Sequence, residues 1–242
     1  MVEVPDFSLA VTTFQMFEVN IRKAINALGG GFIMGLFHLF KKEKNMDQSN
    51  GISQEPDTPI PFGMKISWLV VKEKDPKAVM EKLNCTDIEI SNWQSAFSHM
   101  QKMKKVFVTP CFNGYVLILN YNAPLENKEL LQDIASKFEE VQYFSTHRIV
   151  ELSCWVKYIN GKLIRSFYYV GEQNEIIWNE GELTQEEKEI GLTPSSFDLD
   201  EYDENIVYPN EEVVDELAAA WGVDPFLDDY QETKSTGFLC QL

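Results

Sequence analysis

The chain carries three histidines, His38, His99 and His147. Histidine serves as a general base near neutral pH when a carboxylate lies beside it. His147 meets that description best. It stands in Thr146-His147-Arg148, with Glu151 just beyond and Ser145 and Ser153 nearby. His147 and Glu151 are therefore the candidate catalytic residues. A corner histidine bonded to backbone is the commoner state of such a residue, and adjacency in sequence does not make a triad. No G-x-S-x-G motif accompanies them.

Other constellations carry less. Glu172, Glu175, Glu180 and Glu182 offer paired carboxylates. Glycoside hydrolysis needs such pairs at a fixed separation, and chance supplies many in so acidic a segment. Asp198-Leu-Asp200-Glu-Tyr-Asp203-Glu204 resembles the start of a calcium loop. It fails as one, because Tyr202 stands at the fifth position, Asp203 at the glycine position and Pro209 at the twelfth. Cys85, Cys111, Cys154 and Cys240 have neither C-x-x-C nor zinc spacing, which suits reduced thiols in a cytosolic protein. Gly29-Gly30-Gly31 lacks the pattern of a phosphate-binding loop. No metal and no cofactor is expected.

Charge is the sharper signal. The formal net charge is −17, yet residues 172–242 hold 20 acids against only Lys188 and Lys234. The rest of the chain is close to neutral. A nucleic-acid partner is disfavoured, since phosphate neutralisation needs Lys and Arg. Trp155, Phe167, Tyr168, Tyr169 and Trp178 read as sheet core rather than a base-stacking platform, because only Lys157 and Arg165 stand among them. A basic protein is the natural complement of the acidic end. The candidate binding residues are Asp198, Asp200, Glu201, Asp203 and Glu204, in a predicted acidic loop over 193–208.

The elements that would position these residues are legible in part. Asn160-Gly161 is a two-residue hairpin signal, because a type I′ turn needs positive φ at both centres. Its flanks are aromatic and β-branched. Four antiparallel strands in a meander are expected at 141–147, 150–159, 162–170 and 175–179, with a tight turn at Gln173-Asn174. Upstream, 65–72 reads as a strand, Asp75-Pro76 as a helix start, 91–103 as a second helix, and 105–109 and 115–120 as strands joined across Asn113-Gly114. A helix follows over 127–140. After the meander, Thr184-Gln-Glu-Glu187 is a capping box whose helix stops at Gly191, and Asn210 caps a helix ending at Trp221.

Residues 24–40 lack Lys, Arg, Asp and Glu, but the run is short and glycine-rich for a stable membrane span. No cleavage site follows it. Residues 1–33 are read as upstream in-frame translation ahead of Met34, or as an N-terminal extension. Residues 34–63 read as a polar Pro/Gly linker, 64–225 as a single domain and 226–242 as a tail.

Phe144-Ser-Thr-His-Arg148, followed by Trp155, Gly171-Glu172, Trp178, Glu180-Gly-Glu-Leu-Thr184 and Ala-Ala-Ala-Trp-Gly-Val-Asp-Pro225, resembles a group of uncharacterised bacterial proteins. The resemblance covers the folded part and implies a bacterial source, while leaving activity open. The expected fold is α+β, a mostly antiparallel sheet with a C-terminal four-strand meander and helices packed on one face. The expected function is a non-catalytic cytoplasmic binding protein, immunity- or antitoxin-like, that presents its acidic end to a basic partner such as a toxin. The alternative is a small hydrolase using His147 and nearby carboxylates.

Overall fold

Residues 51–64, 66–120, 128–173, 175–192 and 206–242 are described by a computed structural model. The proposed extension over 1–33 and the first part of the linker lie outside the described residues. So do Asp198, Asp200, Glu201, Asp203 and Glu204.

The described chain forms a mixed α+β fold. Strand β1 (Ser67–Lys72) leads to helix α1 (Pro76–Lys82), then β2 (Thr86–Asn92) and α2 (Trp93–Met103). The hairpin β3 (Val106–Phe112) and β4 (Tyr115–Leu119) follows, then α3 (Lys128–Ala135). Next come β5 (Glu140–His147), β6 (Leu152–Ile159), β7 (Lys162–Val170) and β8 (Glu175–Glu180). Helices α4 (Gln185–Ile190) and α5 (Glu211–Trp221) precede the last strand, β9 (Thr236–Gln241). The nine strands form one sheet in the order β2-β9-β3-β4-β1-β5-β6-β7-β8. Every neighbouring pair is antiparallel.

The local signals act as their chemistry requires. Asp75 accepts from Lys77 N at 2.9 Å and Asn210 from Val213 N at 2.9 Å, so each satisfies a free donor of a first helical turn. Asn160 and Gly161 both have positive φ between β6 and β7. Strands β5 to β8 are consecutive neighbours in the sheet, but they are not C-terminal, because β9 follows them in the chain.

Three further expectations are corrected. Helices cover both faces of the sheet, not one. In β1, Leu69 and Val71 enter one core with Val79 and Met80 of α1 and Leu131 and Ile134 of α3. Trp68 and Val70 enter the opposite core with Trp93, Ala96 and Met100 of α2 and Val213, Leu217 and Trp221 of α5. Side chains alternate across a strand, so a continuous apolar run such as Trp68-Leu-Val-Val71 requires both sides to be buried. The tail beyond 226 is also corrected: β9 lies inside the sheet, between β2 and β3. Finally, the second half of the linker packs onto the fold. The Asp57 carboxylate accepts from Trp93 N at 2.7 Å and Gln94 N at 2.9 Å, Asp57 bridges to Ser235, and Phe62 is buried against Trp68.

Candidate functional site

The turn between β5 and β6 carries both sequence candidates, and the fold closes it against the start of α5. His147 ends β5 opposite Leu152 in β6. Glu151 has φ of 50°, which bends the chain back into β6. The turn is pinned from behind, since Glu151 O accepts from Gly171 N at 3.1 Å and Val150 O from Glu172 N at 3.3 Å. Asn210, Glu211 and Glu212 approach from the opposite side. The result is an open cavity of about 490 Å³, lined by His147, Arg148, Glu151, Leu152, Ser153, Pro209, Asn210, Glu211 and Glu212.

Beside it runs an ionic and hydrogen-bonded seam that starts from two of its lining residues, Arg148 and Glu211. Arg148 Nε donates to the Glu211 carboxylate, and Arg148 Nη2 reaches the Met64 sulfur. Thr146 Oγ1 donates to Gly63 O at 2.7 Å, tying the entry segment to β5. One helical turn beyond Glu211, Asp215 is buried beneath Gly63. Gly63 has φ of 117°, and a Cβ there would lie 2.3 Å from Asp215 Oδ1, so only glycine fits. Burial pushes the Asp215 carboxyl up to about 7, helped by the neighbouring charges of Glu211 and Asp224.

His147 and Glu151 thus share one cavity, but they do not form a relay. Among the described residues, no hydrogen bond joins the His147 ring to Glu151, Ser145 or Ser153. The Glu151 side chain packs against Gly171, where an added Cβ would lie 2.5 Å from Oε2. Ser145 is buried and hydrogen-bonded to Ser67 at 2.7 Å. General-base catalysis requires the base within reach of the proton it takes and an acceptor that orients the ring. The arrangement supplies a half-open polar cleft instead.

The carboxylates divide into two kinds. Glu187 is fully buried and salt-bridged to Arg165 at 2.8 Å. Arg165, which stands among aromatic residues in the sequence, is a core residue. The aromatic side chains of Trp155, Phe167, Tyr168, Tyr169 and Trp178 are buried. The second kind is exposed. The outward stripe of α5 is Glu212, Glu216, Ala219 and Ala220, and beyond its C-terminus Asp224, Asp228 and Asp229 are exposed. The last three border a second cavity of about 330 Å³ with Asn113, Gly222 and Tyr230. Among the described residues, none of Glu212, Glu216, Asp224, Asp228 and Asp229 forms an ion pair with Lys, Arg or His.

Comparison with protein-family models, curated proteins and solved structures gives no match. Among the described residues, no group of three or more His, Cys, Asp or Glu is arranged to hold a metal ion, and no helix is long and apolar enough to cross a membrane.

Sequence reasoning missed Asp215, Asp57 and the double role of Glu187. The Thr184-x-x-Glu187 spacing announced the cap but not the arginine beneath it. For Asp215, its place on the apolar stripe of α5, beside Val214, was the only hint in the letters.

Proposed function

We propose that this is a non-catalytic binding protein, immunity- or antitoxin-like and cytoplasmic, that presents an acidic surface to a basic protein partner. The observation that carries the reading is the outward face of α5. Glu212 and Glu216 are one turn apart on it, and Asp224, Asp228 and Asp229 continue the charge past its end. Among the described residues these acids are exposed and form no ion pair, whereas Glu211 and Glu187 are paired with arginines of the same chain. Residues 172–242 as a whole hold 20 acids and two lysines, and the acids at 198–204 carry the same sign of charge. A surface of one sign accelerates encounter with a partner of the other and repels nucleic acid. A toxin that must hold phosphate offers the required basic surface.

The second reading is a small hydrolase, favoured by the cavity that His147 and Glu151 share. One experiment separates the two. Native-host lysate is passed over the wild type, over a variant with Asp198, Asp200, Glu201, Asp203 and Glu204 changed to Lys, and over Glu212→Lys/Glu216→Lys. Captured basic proteins are then tested for association by stopped-flow mixing at several salt concentrations. The binding reading expects slower association for both charge variants, and a wild-type rate that falls steeply with salt, since exposed charges act over about 8 Å at physiological ionic strength. Unchanged rates and salt dependence in both variants would refute it. A His147→Ala variant that alone abolishes a measured hydrolytic activity would favour the enzyme.

A further inference from the structure

Two of the four cysteines are brought together by a strand pairing. Strand β2 pairs with β9 so that Thr86 lies opposite Gln241. Cys85, just before β2, and Cys240, within β9, therefore occupy offset positions on adjacent strands. Both lie on the same face of the sheet, Cys240 fully buried in the first core and Cys85 packed on its rim. Their side chains are close enough to interact.

The backbone around them is held. Cys85 N donates to Met80 O at 2.9 Å at the end of α1. The β2–β9 register shifts between Thr86 and Glu89, and Asp87 within this bulge has φ of 50°. Lys105 anchors the bulge. Its buried ammonium donates to Asp87 O at 2.9 Å and meets the carboxylates of Asp87 at 2.8 Å and Glu89 at 2.6 Å. Lys105 also immediately precedes Val106, the residue of β3 that pairs with Cys240.

The two thiols differ in ways that suit different tasks. Cys85 is half-buried and faces an open cavity of about 460 Å³ bordered by Met80, Asn84, Ile88 and Phe238, so a small oxidant can reach it. The Cys240 side chain beside it holds the Cys85 thiol below the ordinary range. That same interaction, and then burial, push Cys240 far up, while the Lys105 charge opposes the rise. The accessible sulfur is therefore the more easily ionised of the two.

We propose that Cys85 and Cys240 are a redox-active dithiol, with Cys85 the thiol oxidised by hydrogen peroxide and Cys240 the thiol that resolves it. The Cys85 thiolate attacks one peroxide oxygen, the O–O bond breaks, and a sulfenic acid forms at Cys85. The departing hydroxide takes a proton from solvent and leaves as water. The Cys240 sulfur then attacks the sulfenic sulfur. The S–O bond breaks, and the oxygen leaves as a second water with the Cys240 proton. The two thiols lose two electrons, which reduce one peroxide. The product disulfide staples the turn after α1 to β9. A small dithiol reopens it by thiol–disulfide exchange.

The test uses the full, reduced chain. It is treated with hydrogen peroxide under native conditions, alkylated, digested and mapped by mass spectrometry. A Cys85–Cys240 crosslinked peptide lighter by two hydrogens is expected, and it should disappear on adding dithiothreitol. In Cys240→Ser the crosslink should be lost and dimedone should trap a sulfenic acid at Cys85. Serine at a buried position can disturb the sheet, so the native wild type is also labelled with iodoacetamide over time. There Cys85 should react about ten-fold faster than buried Cys154, or more. The proposal is overturned if native oxidation gives no Cys85–Cys240 crosslink, if that crosslink appears only after denaturation, or if Cys85 labels no faster than Cys154.

Discussion

Arg165 and Glu187 are both fully buried, and the Arg165 Nε lies 2.8 and 3.0 Å from the two oxygens of the Glu187 carboxylate. Trp155 Nε1 donates to the same carboxylate at 2.8 Å, and Thr184 N does so at 2.9 Å. Arg165 Nη1 is held by the backbone carbonyls of Ser166 and Glu180 and by Asn179 Oδ1. A capping box has thus become the ionic anchor that fixes α4 to strands β6 and β7. Burying such a pair gains little over apolar packing, but orphaning one member is costly. Arg165→Met should therefore destabilise the protein by about 3–5 kcal/mol, and Arg165→Met/Glu187→Met should recover much of that loss. Urea unfolding of the three proteins checks it. A single variant as stable as wild type would mean that the pair is not the anchor described.

Asp215 makes stability depend on pH. Its carboxyl sits at about 7 in the fold, against 3.8 for an exposed aspartate. Between those values the folded state holds a proton that the unfolded chain has released. Stability should therefore fall as pH rises from about 4 through 7, and level off above. Asp215→Asn should flatten this slope and stabilise the protein at pH 8. Melting temperatures of both proteins across that window provide the measurement. Parallel curves for variant and wild type would show that other groups set the pH dependence.

Gly161 occupies the second position of the β6–β7 turn with φ of 71°. Valine there is strained, and the turn sets the register of two long strands. Gly161→Val should cost about 1–3 kcal/mol. The denaturant midpoint reads this out, and an unchanged midpoint would contradict the turn geometry.

Strand β9 is the partner of both β2 and β3. Truncation after Ser235 should therefore remove an internal strand, expose two edges and prevent cooperative folding. It should also remove Leu239 and Cys240, each fully buried in one of the two cores. Circular dichroism melting of the truncated chain decides the matter. A sharp transition near that of the full chain would return residues 236–242 to the status of a tail.

Much of the fold was legible because its signals are local. Asn160-Gly161, Asp75-Pro76, Thr184-x-x-Glu187 and Asn210 act within a few residues, through backbone φ or one side-chain hydrogen bond. The aromatic strands β5 to β7 announced themselves by composition. Strands β2 and β9 did not. Thr86–Asn92 is mostly polar and runs along an edge, and Thr236–Gln241 is short. Neither reads as a strand alone, because much of the stabilisation of each comes from the other's backbone.

By itself, the sequence determined the turns, the helix caps, the apolar stripes and the segregation of acidic charge into residues 172–242, since each is a property of neighbouring letters. It also placed His147 and Glu151 near one another, because a single turn joins them. Only the tertiary structure decided that both faces of the sheet are covered and that the chain's last strand enters the sheet. It alone set Arg165 on Glu187, Asp215 beneath Gly63 and Cys85 against Cys240. These are pairings between residues far apart in the chain. Their burial and charge balance arise only when the sheet brings the two segments together.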